Sequence, residues 1–196
     1  MNEYVEMAER QNDAFEETNM KRVIGEYSAR HPGPLLICIG GMHGNEPAGV
    51  QALQRVVATL QDARPDFHGK LIALRGNLRA LSEKKRYIES DFNRMWGPER
   101  MQALRSGDTG RFRSAEAIEQ LELYRALSAI MAAAQGPIFV MDLHTTSATS
   151  KPFAIFGDTI RNRHFAGKLR VPLILGLEEA IAGTLIEDIT NLGHVA

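Results

Sequence analysis

The junction around residues 35–49 constrains this chain most. "LLICIGG", residues 35–41, is apolar at every position before its glycines and too short for an ordinary helix. Such a run suits a strand buried on both faces, as in a sheet covered on each side. Just after it, Pro47 precedes "AGVQALQRVVATLQ", with apolar residues at Val50, Leu53, Val56, Val57 and Leu60. That spacing predicts an amphipathic helix, and the proline suits its start.

The same alternation recurs along the chain. Residues 22–29 and 69–77 read as strands, and "HPGP" at 31–34 reads as a break before the buried run. Residues 114–134 predict a long helix with Ser114 as its N-cap. "PIFVMDLH" at 137–144 is another buried strand, 151–158 a further one, 159–170 a helix and 171–175 a last strand. Residues 78–110 are polar, rich in arginine and without a clear period, so a long loop is expected, and loops of that length are usually functional or disordered. The stretch from Gly176 onward is weakly patterned. Strand and helix in alternation predict an α/β fold of three layers, with a mostly parallel, mixed sheet and helices on both faces. Ligands of such sheets gather at the carboxyl ends of the strands.

Two polar clusters stand there. "GGMHGNE" places His43 and Glu46 three residues apart among glycines that allow a tight path. A phosphate loop is one alternative for a glycine-rich turn ahead of a helix. Neither a Gly-Lys-Ser/Thr end nor a G-x-G-x-x-G pattern is present. A plain turn with a surface His and Glu is the other alternative. "MDLHTT" supplies His144, with Asp142 two residues earlier and therefore on the same strand face. Asp142 is then placed to orient an imidazole from behind. Two histidines and a glutamate make a His2Glu set, a donor set that holds catalytic zinc with a fourth position open to water. "RYIESDFNRMW", residues 86–96, adds two arginines able to hold carboxylates through paired charge-assisted hydrogen bonds. By composition alone it is an ordinary solvated charge run.

Charge and cysteine usage narrow the function classes. A formal net charge of −1 argues against nucleic-acid binding as a general role. The single cysteine, Cys38, cannot form an internal disulfide and reads as a small core residue. No apolar stretch approaches the roughly 18 residues of a membrane span, and residues 1–21, an expected arm or helix, lack a signal-peptide core. A cytoplasmic protein is expected, without nucleic-acid or membrane partners.

In this order, "GGMHGNEPAG", "RYIESDFNRMW" and "DLHTTSA" resemble the succinylglutamate desuccinylase/aspartoacylase family, zinc hydrolases related to the zinc carboxypeptidases. The likeness covers roughly residues 22–180, with its strength in the three motifs together. It implies one Zn(2+) per chain on His43, Glu46 and His144. It also implies that Arg86 polarises the scissile carbonyl, that Asn93 and Arg94 hold a substrate carboxylate, and that Thr145 and Thr146 line the pocket. The implied activity is amide hydrolysis of a small N-acyl amino acid, with a carboxypeptidase-type peptidase or an inactive metal-binding module as the alternatives. The family's general-base glutamate, set in a hydrophobic-Gly-x-Glu context, has no match: Glu178, Glu179 and Glu187 all lack that context. Residues 22–196 are therefore expected to be a zinc-binding hydrolase domain that stops before its final strands and a C-terminal β domain. Apolar surface left open by such a truncation makes a homo-oligomer a further expectation.

Overall fold

The computed structural model describes residues 20–28, 31–110, 112–177 and 181–196. Most of the expected arm, and Glu178 and Glu179, lie outside them. Four strands form the main sheet: β1 (Val23–Ser28), β2 (His31–Gly40), β3 (His68–Arg75) and β4 (Ile138–Leu143), in spatial order β1-β3-β2-β4. Strand β2 runs parallel to both β3 and β4, and β1 pairs antiparallel with β3. The sheet is thus mixed and mostly parallel, as expected.

Side-chain alternation along β2 shows why this strand is central. Leu35, Ile37 and Ile39 face one core with Ile72, Leu74, Ile138 and Val140. Cys38 faces the other with Leu71 and Ala73. Helix α1 (Ala48–Ala63) covers the second face through Leu53 and Val57. The first face is covered by α3 (Pro98–Ser106), α4 (Ala115–Ala132) and α6 (Leu185–Asn191), through Met101, Leu104, Leu123, Leu127, Leu185 and Ile189. These are the three layers.

Several expectations need correction. Residues 31–34 do not break the chain; β2 begins at His31, and its register against β3 shifts between His31 and Leu35. Pro32 and Pro34 have no N–H to donate, and the irregular start of a strand absorbs such residues. Residues 78–110 are not one long loop. They contain α2 (Leu78–Glu83), a 3-10 turn (Phe92–Arg94) and α3. Asn77 caps α2 by accepting from the Ala80 N–H, and α3 starts on Pro98 and stops at Gly107, whose φ is +77°. Each helix is too short to show a period.

The weakly patterned tail holds α6, capped by Thr184, which accepts from the Glu187 N–H. The two late strands shrink to β5 (Ala154–Ile155) and β6 (Leu173–Ile174), paired in parallel as a separate small sheet. The helix between them, α5 (Ile160–Ala166), is capped by Thr159 and ends sooner than its sequence pattern predicts. Val195 makes one parallel bridge to Phe139 on the outer edge of β4.

Candidate metal centre

The turn leaving β2 is locked before it presents anything. The N–H groups of Gly76 and Asn77 donate to the Gly40 and Gly41 carbonyls at 2.9 Å each, so pairing with the β3 exit outlasts the strands. Gly41 has a φ of +76°, a conformation that other residues adopt at a cost. Met42 is fully buried in the main core and pins the turn inward. Gly44 lies so close to α2 that a Cβ there would run into the Ala80 carbonyl. His43 and Glu46 are both buried at this turn, and α1 begins two residues after Glu46. Glu46 is therefore carried by the turn itself.

Strand β4 ends beside it and delivers His144. The ligand-type atoms of His43, Glu46 and His144 all lie within 4.8 Å of one another. The two Glu46 oxygens divide between the rings: Oε1 is 3.0 Å from His43 Nδ1, and Oε2 is 3.1 Å from His144 Nδ1. The Thr145 N–H also donates to Oε2, at 2.8 Å. Behind each ring stands another carboxylate. Asp142 Oδ2 lies 2.7 Å from His144 Nε2, and Asp91 Oδ1 lies 2.9 Å from His43 Nε2.

These contacts shift the titrations. Burial pushes Glu46 up, but the hydrogen bonds from His144 and Thr145 and the neighbouring imidazole charge outweigh it and bring the carboxyl to about 2. Burial pulls His144 down, yet Asp142 and Glu46 together raise it to about 10. Asp91 is pushed up by burial and held below its ordinary range by hydrogen bonds from His43, Arg86 and the Asn93 N–H.

The donor set fits a divalent ion. Two imidazole nitrogens and a carboxylate oxygen converge, and each imidazole has its remote nitrogen fixed by a carboxylate, as metal-bound histidines generally do. Asp142 Oδ1 is buried and finds no hydrogen-bond partner among the described residues, which leaves one acceptor beside the cluster for a further donor.

The other expected residues fall around this core. Arg86 reaches Glu46 Oε1 at 3.4 Å and Asp91 Oδ2 at 3.1 Å, with its guanidinium half exposed. Asn93 is buried, with Nδ2 at 3.3 Å from His144 Nε2 and Oδ1 accepting from the Leu185 N–H at 3.2 Å. Arg94 is exposed, and its Nη1 donates to the Asn93 carbonyl at 2.7 Å. Thr145 takes part through its backbone. The Thr146 hydroxyl is turned into its own loop, donating to the Ala148 carbonyl at 2.8 Å. Glu187 belongs to a helix cap, where it accepts from the Gly183 N–H at 2.7 Å.

Sequence reasoning missed Asp91. It sits in a charged run, and only the fold brings it to His43, 48 residues away. Its place two residues before Asn93, inside an otherwise site-forming motif, was the one available signal.

Comparison with known proteins places the chain in a family. Residues 32–191 match the family model of the succinylglutamate desuccinylase/aspartoacylase catalytic domain. A succinylglutamate desuccinylase of Serratia proteamaculans (strain 568) is 31% identical over 116 residues, which is 59% of this chain and 33% of that protein. The chain thus spans about a third of that relative's length. The crystal structure of a succinylglutamate desuccinylase from Chromobacterium violaceum aligns with a TM-score of 0.61 at 22% identity, over 83% of this chain and 52% of that one. A product-bound ectoine utilization protein, EutE (DoeB), from Ruegeria pomeroyi aligns with a TM-score of 0.61 at 21% identity, over 85% and 49%. With its family model matched across most of its length, the chain belongs to the succinylglutamate desuccinylase/aspartoacylase family, through that family's catalytic domain.

Proposed function

We propose that this chain carries the zinc centre of a hydrolase that cleaves the amide bond of a small N-acyl amino acid. One observation carries the reading: His43, Glu46 and His144 converge within 4.8 Å, and each imidazole is backed by its own carboxylate. The names of the relatives, succinylglutamate desuccinylases among them, support the substrate class. A bound zinc ion supplies Lewis acidity to a carbonyl and lowers the pKa of water toward about 7.

The chain's own residues do the rest. Asp91 and Asp142 hold the imidazoles at fixed tautomer and angle. The Thr145 N–H fixes one oxygen of Glu46. Arg86, already aimed at the centre, donates to the oxygen that gains charge during attack, a contribution of roughly 3 kcal/mol for a well-placed donor. Asn93 and Arg94 hold the substrate carboxylate. Among the described residues, no glutamate stands free beside the centre as proton acceptor, since Glu46 is bound to both rings and Glu187 caps α6. That observation favours a second reading, a metal-binding module without turnover. A cytoplasmic setting suits the lone buried thiol of Cys38.

The test is the metal content of the purified chain beside His43→Ala, followed by hydrolysis assays with N-acyl amino acids and dipeptides. About one zinc per chain, lost in the variant, supports the centre. Hydrolysis of N-succinylglutamate but not of dipeptides supports the deacylase. Bound zinc without any turnover selects the inactive module, and no zinc in the wild type overturns the metal reading.

A further inference from the structure

Helix α4 carries two buried glutamates three residues apart, Glu116 and Glu119. Neither touches the centre, yet each gathers backbone N–H groups from the chain segment that builds it. Glu119 accepts from the Leu78 and Arg79 N–H groups at 3.1 Å each, where α2 begins, and pairs with Arg22 at 2.6 Å. Glu116 accepts from three successive N–H groups, those of Ile88 at 2.6 Å, Glu89 at 3.0 Å and Ser90 at 3.2 Å. The Asn77 amide adds a fourth donor at 3.3 Å. Residues three apart share one helix face. That face of α4 therefore holds both ends of the excursion 77–90.

Residues 88–90 lie in neither helix nor strand, so no ladder satisfies or orients their N–H groups. A carboxylate is the side chain for this task, with two oxygens, about four acceptor sites and no competing donor. A return bond closes the clasp: the Ala115 N–H donates to Glu89 Oε1 at 2.7 Å. Asp91 follows this segment directly and meets His43 at 2.9 Å. Arg86 precedes it, and the Arg86 carbonyl accepts from the Gly44 N–H, next to His43, at 3.2 Å.

We propose that Glu116 is a positioning residue for the metal centre: by clasping the 88–90 backbone it sets where Asp91 meets His43. The proposal rests on reading the His43, Glu46 and His144 cluster as a zinc site. Glu116 acts through Asp91, so its loss and that of Asp91 share one route.

The test is zinc affinity by chelator competition on the full chain, for wild type, Glu116→Gln, Asp91→Asn and the double variant. Glutamine keeps the volume but turns an NH2 donor toward converging N–H groups. Glu116→Gln is expected to weaken zinc about 10-fold and Asp91→Asn about 10-fold to 100-fold, the range for partners that orient ligands. The double variant is expected to match Asp91→Asn alone, because coupled sites do not add. Hydrogen exchange supplies a readout without metal: the amides of 88–90 lose protection in Glu116→Gln, while those of β2 keep theirs.

Additive losses, or a Glu116→Gln affinity equal to wild type, overturn the proposal. If Glu116→Gln does not fold, Glu89→Ala carries the test, since it removes only the return bond at an exposed residue. Its expected loss is smaller than that of Glu116→Gln, with the same non-additivity toward Asp91→Asn, and an unchanged affinity overturns the proposal. Tight wild-type binding that the variants leave untouched sinks this inference alone. Failure of the wild type to bind zinc sinks the metal reading and this inference with it.

Discussion

The two walls of the centre are built by different means. His43, Glu46 and His144 stand at the ends of neighbouring parallel strands, on backbone that continues the sheet's hydrogen bonding through Gly40 and Gly41. Arg86 stands on the excursion 77–90, with Asp91 and Asn93 just after it; the excursion has one short helix and no ladder of its own and is held by glutamate side chains that reach across from α4. The first wall has its precision in the backbone. The second borrows it from two buried carboxylates, so single side chains far from the centre control it. Stiffness in the first wall is shared among many bonds, and in the second it is concentrated.

That contrast can be broken by experiment. The largest effect is expected from Glu119→Ala. It leaves the Leu78 and Arg79 N–H groups without their acceptor, at about 1–3 kcal/mol for each buried group, while the Arg22 guanidinium keeps Glu122 and the Arg75 and Gly76 carbonyls. Urea denaturation measures this, and a loss under about 1 kcal/mol would show that the excursion holds itself.

Next comes pH. In the metal-free chain His144 is raised to about 10, so at neutral pH its ring carries a proton that a metal must displace. Zinc affinity then rises about tenfold per pH unit below that value, or about a hundredfold from pH 6 to 8. Calorimetry in buffers of different ionisation enthalpy counts the released proton; a flat profile would mean that Glu46 and Asp142 do not hold it.

Ser114→Ala is a smaller perturbation. Its hydroxyl caps α4 by accepting from the Ala117 N–H, and losing such a cap costs about 1 kcal/mol. The expected consequence falls on the excursion wall, with faster exchange at 88–90 than at the β2 turn. Equal changes at both would erase the distinction drawn above. Thr146→Ala should be smallest, shifting stability by less than about 0.5 kcal/mol, because its hydroxyl bonds only within its own exposed loop. A melting curve displaced by much more would reveal a structural role for that loop.

The first wall was legible in the sequence. Ile37 and Ile39 on one face and Cys38 on the other announced a strand between two layers, and Asp142 and His144 share a face by simple alternation. The second wall was not. Helices α2 and α3 are too short for a period to emerge, so 78–110 read as a loop although Asn77, Pro98 and Gly107 already marked their ends. Asp91 needed a contact 48 residues away to acquire meaning. Glu116 looked like any acidic residue in the first turn of a helix, where it suits the helix dipole; nothing local showed it to be wholly buried and facing four N–H donors. Long-range hydrogen bonding of loop backbone leaves no periodic trace.

The buried thiol of Cys38 can serve as a clock. It lies on β2 under α1, and burial pushes its pKa up to about 12. Only the thiolate reacts with disulfide reagents or maleimides, so labelling waits until α1 lifts from the sheet. Cys38 is two residues from Gly40, where the turn carrying His43 and Glu46 begins. A ligand that binds only the closed form slows such opening in proportion to its occupancy. The rate at which a single sulfur becomes reactive therefore registers, without any substrate, how firmly the far end of the same strand has been tied down.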